Sequence, residues 1–216
     1  MAGSVGRPAP VLSGALAVTT VLDFIRHGEP EGGSLYRGST IDDPLSEKGW
    51  QQMWSAVGET NHWDRVVSSP LSRCHTFARA LAERYTLPVT TLHDLREVGF
   101  GAWEGRSSTE IRKTHPQEYQ RVYAVPVNNR AKGAEDLHAF GQRVAAAMEG
   151  MATDHAGERI LVIVHTGVIR AALGHVLQAP AAAWYRTRVD NAGITRFHYD
   201  DLGKQLIFHN RQDLRP

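Results

Sequence analysis

The feature of this sequence that most restricts its fold is the alternation of two kinds of segment along its 216 residues. Short apolar runs rich in β-branched residues predict strands at 19–25, 64–69, 87–95 and 159–166. Longer segments in which apolar residues have helical spacing predict helices at 46–59, 70–85, 134–154 and 167–178. Strands that alternate with helices build a mostly parallel sheet with helices on both faces. The sequence therefore predicts an α/β fold, a three-layer α/β/α sandwich.

The rest of the chain is predicted to extend this unit. Residues 1–18 predict a flexible leader rather than a signal peptide, because one arginine precedes the apolar stretch and the stretch continues into the first strand. Residues 19–216 are predicted to form a single domain, in which the irregular segment of about 104–133 makes a small helical cap. From residue 183 on, the apolar tail predicts one or two more strands. This tail is the candidate interface of a homodimer, although the oligomeric state stays open.

Composition limits the partners and the compartment. The net charge of +1 gives no reason to expect nucleic acid as a partner. No uninterrupted apolar stretch approaches the roughly 20 residues that a membrane helix needs, so no membrane association is expected. The only cysteine, Cys74, cannot form an intrachain disulfide, which favours a reducing, cytoplasmic location. Its helical surroundings favour a buried thiol over a nucleophile.

Polar residues follow the ends of the four predicted strands. Arg26 and His27 follow the first strand, Arg73 the second, Glu97 the third, and His165 the fourth. In parallel α/β sheets, ligands bind just beyond the carboxyl ends of the strands, which meet at one edge. We therefore expect these five side chains to converge on one site.

These residue types suit attack on a phosphate ester. A neutral imidazole is a nucleophile towards phosphorus, and adjacent positive charges keep it neutral. Arg26 and Arg73 can bind phosphate oxygens in bidentate fashion, and His165 and the N–H of Gly167 at a helix N-terminus can add donors. Glu97 can protonate the departing alkoxide and then activate water. This chemistry needs no metal and no cofactor, and the sequence carries no common metal-ligand motif.

Each of these residues also has a structural interpretation. A lone histidine after a strand is commonly a structural residue, and an arginine early in a helix commonly lies on the surface. The coincidence of five such residues at corresponding strand ends favours the catalytic interpretation. In the predicted cap region, Trp103, Tyr119 and Tyr123 either line a base-stacking wall or simply pack the cap onto the domain.

Four blocks of the sequence, in order, resemble the histidine phosphatases, also called the phosphoglycerate mutase-like superfamily. These blocks are FIRHGE, VVSSPLSRCHTFA, LREVGFGAWEG and VIVHTGVIR, and the resemblance covers roughly residues 20–210. It implies a phosphoglycerate mutase-like fold and a phosphomonoesterase in which His27 becomes phosphohistidine. The resemblance also implies that Arg26, Arg73 and His165 form the phosphate pocket and that Glu97 is the acid.

Within this superfamily, the chain is similar to the α-ribazole phosphatases of cobalamin synthesis. The segments RHGEPEGG, YRGSTIDDPLSEKGWQQM, LREVGFGAWEGRS and KGAEDL carry this similarity. It implies that the partner is a small-molecule phosphomonoester, α-ribazole 5′-phosphate. The residues expected to bind the substrate around the phosphate pocket are Arg37, Gly38, Thr166, Gly167 and Glu135.

Three alternatives stay open at this point. The first is a broad-specificity phosphatase or a sugar phosphatase or bisphosphatase. The second is a phosphoglycerate mutase, which is disfavoured because Pro30 follows RHGE and no asparagine occurs before Asn61. The third is a non-catalytic binder of phosphorylated ligands, which is disfavoured because none of the catalytic residue types is missing.

Overall fold

The structure is a computed structural model that describes residues 18–59 and 61–214, so the predicted leader lies outside the described residues apart from Val18. The strands are β1 (Thr20–Arg26), β2 (Arg65–Ser68), β3 (Val89–Thr91), β4 (Arg159–Val164), β5 (Ile194–Asp200) and β6 (Gly203–Arg211). They form one sheet in the order β3–β2–β4–β1–β5–β6. The first four strands are parallel, whereas β5 and β6 are antiparallel. The predicted mostly parallel sheet and the two strands of the tail are confirmed.

The α-helices are α1 (Glu47–Val57), α2 (Ser72–Tyr85), α3 (Ser108–Thr114), α4 (Pro116–Ala124), α5 (Leu137–Asp154) and α6 (Thr166–Val176). Ser46 caps α1, since its hydroxyl accepts a hydrogen bond from the N–H of Gly49 at 3.1 Å. Asp136 caps α5 by accepting from the N–H groups of His138 and Ala139, both at 2.9 Å. Among the helices of the described residues, none combines the length and the apolar character needed to cross a bilayer.

Alternate residues of the central strands point to opposite faces of the sheet, and each face is covered by helices. Ile163 of β4 lies in the core with α1 and α2. Val162 and Val164 of the same strand lie in the core with α5 and α6. This arrangement confirms the predicted three-layer sandwich.

The predicted strand at 87–95 is wrong in its second half. β3 ends at Thr91, and a 3₁₀ turn follows at His93–Leu95. The strand is short because β3 lies at the sheet edge, pairs only with β2 and exposes all three of its residues. The turn then buries Leu95 completely in the core, which directs the following loop, with Glu97, towards the centre of the sheet.

Two short helices, α3 and α4, occupy the segment predicted as a cap. They enclose a small core of Trp103, Ile111, Val122 and Ala131. The indole N–H of Trp103 donates to Glu118 at 2.8 Å, which joins the cap helix α4 to the chain that leads into the cap. The domain boundaries around this unit stay a prediction.

Candidate active site

The carboxyl ends of β1, β2 and β4 bring the predicted residues together. Arg26 lies beside Val164 in the parallel ladder of β1 and β4. The N–H of His27 donates to Val164 O at 2.9 Å, which extends that ladder by one residue beyond β1. The rings of His27 and His165 consequently meet edge to face, with their centroids 5.2 Å apart.

A cavity of about 350 Å³ opens at this edge of the sheet. Its lining includes seven of the predicted site residues, namely Arg26, His27, Arg37, Gly38, Arg73, Glu97 and Thr166. His165 is fully buried and lies behind the lining against His27. The lining also includes residues that the sequence analysis did not single out for the site, among them Leu35, Tyr36, Phe100, Arg170 and Asn191.

His27 has the protonation state of a nucleophile. Its Nδ1 lies 2.7 Å from the carbonyl oxygen of Gly28. Because a carbonyl can only accept, Nδ1 carries the proton and Nε2 keeps its lone pair. Burial, followed by the charges of Arg26 and Arg73, holds the pKa of His27 well below its usual range, so the ring is neutral.

The loop that carries His27 packs directly on the first turn of α1. A Cβ atom on Gly28 would lie 2.7 Å from the Cα and carbonyl carbon of Gly49 and nearer still to its carbonyl oxygen, separations that real side chains do not reach. The hydroxyl of Ser46 and the amide of Gln52 bind the backbone of Glu29 at 2.9 and 2.8 Å. Glycine at both contact positions therefore lets the helix fix the nucleophile's loop.

Arg26 and Arg73 present donors that the protein itself does not use. Arg26 donates through Nη1 to Val189 O at 2.7 Å, and Arg73 donates to Ile41 O and Gly38 O, both at 3.0 Å. The Nε atoms of both are buried and lack a partner among the residues that the structure describes. Burial lowers the pKa of Arg26 to about 10, against the opposing charge of Glu97. Buried donors are normally paired, so these two suit an anion.

Glu97 is held by backbone N–H groups rather than by a cation. Val98 N–H donates to Oε1 at 2.9 Å, and Gly167 N–H donates to Oε1 and Oε2 at 3.1 and 3.2 Å. The N–H of Gly167, which was predicted to bind phosphate, instead donates to Glu97 at the start of α6. Burial raises the pKa of Glu97, and these N–H groups oppose the shift.

Two buried side chains surround the ring of His165. Its Nε2 lies 2.7 Å from the hydroxyl of Ser69, which directly follows β2 and which the sequence analysis did not single out. The sulfur of Cys74 lies 3.7 Å from the same nitrogen. Burial, followed by the charge of Arg73, holds the pKa of His165 well below its usual range. Burial also raises the pKa of the Cys74 thiol, as expected for the predicted buried, unreactive group.

Arg37 and Gly38 line the cavity mainly as parts of a braced loop. The guanidinium of Arg37 pairs with Asp43 at 2.7 Å and donates to Gly33 O at 2.8 Å and to Glu31 O. Gly38 has a left-handed φ of 58°, and its carbonyl accepts from Arg73. Their placement favours a role in positioning Arg73 and the cavity wall.

Glu135, which was expected to contact the substrate, does not line the cavity. Its carboxylate accepts two hydrogen bonds from Arg143, both at 2.9 Å, and one from the N–H of Gly99 at 3.1 Å. Burial acts to raise the pKa of Glu135, but the hydrogen bonds from Arg143 and Gly99 outweigh it and lower the pKa. Arg143 also donates to Arg96 O at 2.9 Å and to Glu97 O at 3.3 Å. The ion pair thus braces the loop that carries Glu97.

The three aromatic residues considered for a base-stacking wall, Trp103, Tyr119 and Tyr123, instead pack within the cap. Trp103 stacks on Tyr119, which in turn contacts Tyr123, all within the cap. The apolar part of the cavity wall is formed by Leu35, Tyr36 and Phe100 instead. The hydroxyls of Tyr36 and Tyr123 lie 2.6 Å apart, so the cap supports this wall from behind.

With this geometry in view, the family can be assigned. The family model of the histidine phosphatase superfamily (branch 1) matches residues 22–212. The chain belongs to this superfamily. The resemblance noted in the sequence is thereby confirmed, and the match includes the loop of His27, the Glu97 loop and the start of α6.

Three curated proteins are similar to this chain. The adenosylcobalamin/alpha-ribazole phosphatase of Salmonella typhimurium is 30% identical over 176 residues, which are 77% of this chain and 84% of that protein. Phosphoserine phosphatase 1 of Hydrogenobacter thermophilus is 28% identical over 189 residues, 86% of this chain and 90% of that protein. The bifunctional protein Rv2228c of Mycobacterium tuberculosis is 30% identical over 191 residues, 87% of this chain but only 52% of that protein. The chain therefore spans about half the length of the mycobacterial relative.

A solved structure supports the same assignment. The alpha-ribazole phosphatase of Shigella flexneri superposes with a TM-score of 0.76 at 25% sequence identity, covering 91% of this chain and 98% of that one. This agreement confirms the predicted phosphoglycerate mutase-like fold.

Proposed function

We propose that this protein is a metal-independent phosphomonoesterase that works through a phosphohistidine on His27. The observation that carries this proposal is the pair of buried, unpartnered Nε donors of Arg26 and Arg73 beside an imidazole whose Nε2 is free to attack. Charge clamps of this kind stabilise the transition state of phosphoryl transfer. Membership of the histidine phosphatase superfamily supports the same chemistry.

The proposed reaction has two steps. The lone pair of His27 Nε2 bonds to phosphorus while the ester P–O bond breaks, and protonated Glu97 gives its proton to the departing oxygen. Water then attacks phosphorus, the Glu97 carboxylate takes the water proton, and the N–P bond breaks. Phosphate leaves, and both residues return to their starting states. Arg26 and Arg73 hold the phosphoryl oxygens throughout, and His165 supports the ring of His27 from behind.

Two leaving groups compete. The motif resemblance and the Salmonella relative support α-ribazole 5′-phosphate, and the wall of Leu35, Tyr36 and Phe100 offers a face for its flat base. The second candidate is a sugar bisphosphate or another ester with a second acidic group. A specific observation favours it, because the described cavity lining contains four arginines, Arg26, Arg37, Arg73 and Arg170.

The test is phosphate release from p-nitrophenyl phosphate in the presence of EDTA. We expect wild-type protein to release phosphate and His27→Ala to release none. His138→Ala is the matched control, since this histidine lies exposed at the start of α5, outside the cavity lining. Full phosphate release by His27→Ala would refute the proposal. The same assay with α-ribazole 5′-phosphate and 3-phosphoglycerate, run in parallel, separates the two leaving groups.

A further inference from the structure

The loop between the last 3₁₀ turn (Ala181–Arg186) and β5 forms one wall of the cavity and is held in place from both sides. From the site side, Arg26 Nη1 binds Val189 O, and the backbone of Arg26 exchanges hydrogen bonds with Ala192 N–H at 3.0 Å and Gly193 O at 3.1 Å. From the outer side, Asn210 binds Asp190 through its N–H at 2.8 Å and its carboxylate at 2.9 Å. The loop is therefore rigid where it meets the cavity.

This rigid loop presents Asn191. Asn191 lines the cavity, and its side-chain amide has no hydrogen-bond partner in residues 18–59 and 61–214. The next residue, Ala192, has a left-handed φ of 56°, a conformation that costs a non-glycine residue energy. Such strain in a braced loop at a cavity is typical of a residue held for binding.

Arg170 stands on the same cavity lining, one turn into α6. Its Nε and Nη2 both donate to Thr187 O, at 3.3 and 2.9 Å, and its guanidinium lies over the ring of Tyr185 at 5.2 Å. These contacts fix the guanidinium group of Arg170 and leave its Nη1 without a partner within the described part of the chain. The guanidinium of Arg170 also contributes to lowering the pKa of Arg26, after burial and against Glu97, so its charge reaches the phosphate pocket.

The charge of Arg170 has no carboxylate to balance it. Arg37 is paired with Asp43, and Glu29 is paired with Lys48 at 2.7 Å. Arg73 Nη1 lies 3.9 Å from Asp42 Oδ1, and a phosphate dianion would bind between Arg26 and Arg73. Among the described residues, no Asp or Glu lies within ion-pair distance of Arg170, and the same cavity lining also contains the guanidinium groups of Arg26 and Arg73. Uncompensated positive charge in such a cavity favours an anionic ligand.

We propose that Arg170 and Asn191 form a second anion subsite, which binds a carboxylate or a second phosphate on the leaving group of the ester. This inference rests on the proposed phosphatase function and deepens it, because it favours the acidic leaving groups over α-ribazole, whose ribosyl group carries no second anion. The Nη1 of Arg170 and the amide N–H₂ of Asn191 supply the donors.

Two matched pairs of esters test the subsite and separate its two ligands. The first pair is 3-phosphoglycerate and glycerol 3-phosphate, which differ by a carboxylate. The second is the bisphosphate and the monophosphate of 1,3-propanediol, with the rate of the bisphosphate divided by its two equivalent esters. We expect the acidic member of at least one pair to have a kcat/KM about 10–100-fold higher, as one or two charge-assisted hydrogen bonds would give. Which pair shows the preference identifies carboxylate or phosphate.

Variants then assign the preference to these residues. We expect Arg170→Met to abolish it, Asn191→Ala to reduce it about 3–10-fold, and Asn191→Asp to reduce it further, because the new carboxylate repels the anion. Arg188→Ala is the matched control, since this arginine lies in the same loop but its side chain is 85% exposed. Three results would each overturn the subsite. The first is equal kcat/KM values within both pairs, and the second is a preference that survives Arg170→Met and Asn191→Asp. The third is a faster reaction with α-ribazole 5′-phosphate than with every acidic ester. Absence of phosphate release from all esters would instead overturn the phosphatase function.

Discussion

Arg143 offers a way to test whether a residue outside the cavity controls the proposed acid. It lies in α5, and it binds Glu135 with two hydrogen bonds and the carbonyls of Arg96 and Glu97 with two more. Arg143→Met keeps the aliphatic packing of the side chain but removes every one of these donors. The Glu135 carboxylate, only 22% exposed, then keeps a single hydrogen bond, from the N–H of Gly99. We expect the free energy of unfolding to fall by about 1–3 kcal/mol.

The effect on catalysis should depend on the leaving group. A general acid contributes about 10²–10⁴-fold when the departing oxygen needs a proton, and a shift of about 1 Å can cost about 10²-fold. We therefore expect Arg143→Met to lower kcat/KM about 10–100-fold for glycerol 3-phosphate, and less than about threefold for p-nitrophenyl phosphate, whose leaving group departs as a stable anion. Glu97→Gln should show the same selectivity, and the double variant should lose little more than Glu97→Gln alone.

The control is Arg65→Met. Arg65 forms a two-point ion pair with Glu158 at comparable exposure, but it lies at the opposite end of β2 from the cavity. It should change stability without changing the ratio of the two esters. If Arg143→Met lowers the rates on both esters equally, the ion pair with Glu135 stabilises the fold only, and Glu97 is positioned by other contacts.

Three further outcomes follow from the geometry. For an alkyl phosphate, kcat/KM should rise with pH through the lowered pKa of His27, because the ring must be neutral to attack. At higher pH it should fall through the raised pKa of Glu97, because the carboxyl group must be protonated to act as the acid. Glu97→Gln should remove this falling limb of the pH–rate profile. Gly28→Ala should abolish activity, because its Cβ would force the loop away from Gly49, and circular dichroism will show whether the fold survives. Asp23 is fully buried and binds Trp63, Arg159 and Arg196 at 2.9, 2.9 and 2.7 Å, so Asp23→Ala should lower the unfolding free energy in urea by about 3 kcal/mol.

The residues that could be predicted from the sequence are those whose position depends on strand ends. Arg26 ends β1, His27 and His165 directly follow the neighbouring parallel strands β1 and β4, and Arg73 lies in the first turn of α2. Their convergence is a consequence of sheet geometry, which the alternation of strands and helices already indicates. Ser69 carries the same signal, since it directly follows β2, and it could have been identified with them.

Residues placed by loops and by the partners of side chains could not be predicted in this way. Glu135 belongs to the segment KGAEDL, which is similar to the α-ribazole phosphatases, and a substrate contact was expected from that similarity. Its carboxylate instead binds Arg143, which lies eight residues later and two helical turns along α5. Asn191 lines the cavity from a loop in which the next residue, Ala192, is left-handed, and no residue type there signals this placement. The end of β3 at Thr91 likewise depends on the burial of Leu95 against the rest of the core.

The contact between α6 and Glu97 bears on how one carboxyl group can serve both proposed steps. Burial alone would hold Glu97 protonated and make it a reluctant donor, whereas the N–H groups alone would leave it ionised before the substrate arrives. Val98 and Gly167 bind the carboxylate form, which is the form left after the first proton transfer and the form that must accept a proton from water. Since the positive end of the α6 dipole also favours that charge, the helix stabilises the intermediate state of the acid. Burial, which favours the protonated form of Glu97, is therefore set against the N–H groups, which favour the ionised form. With both effects at one carboxyl group, a proton can leave it and return within a single turnover.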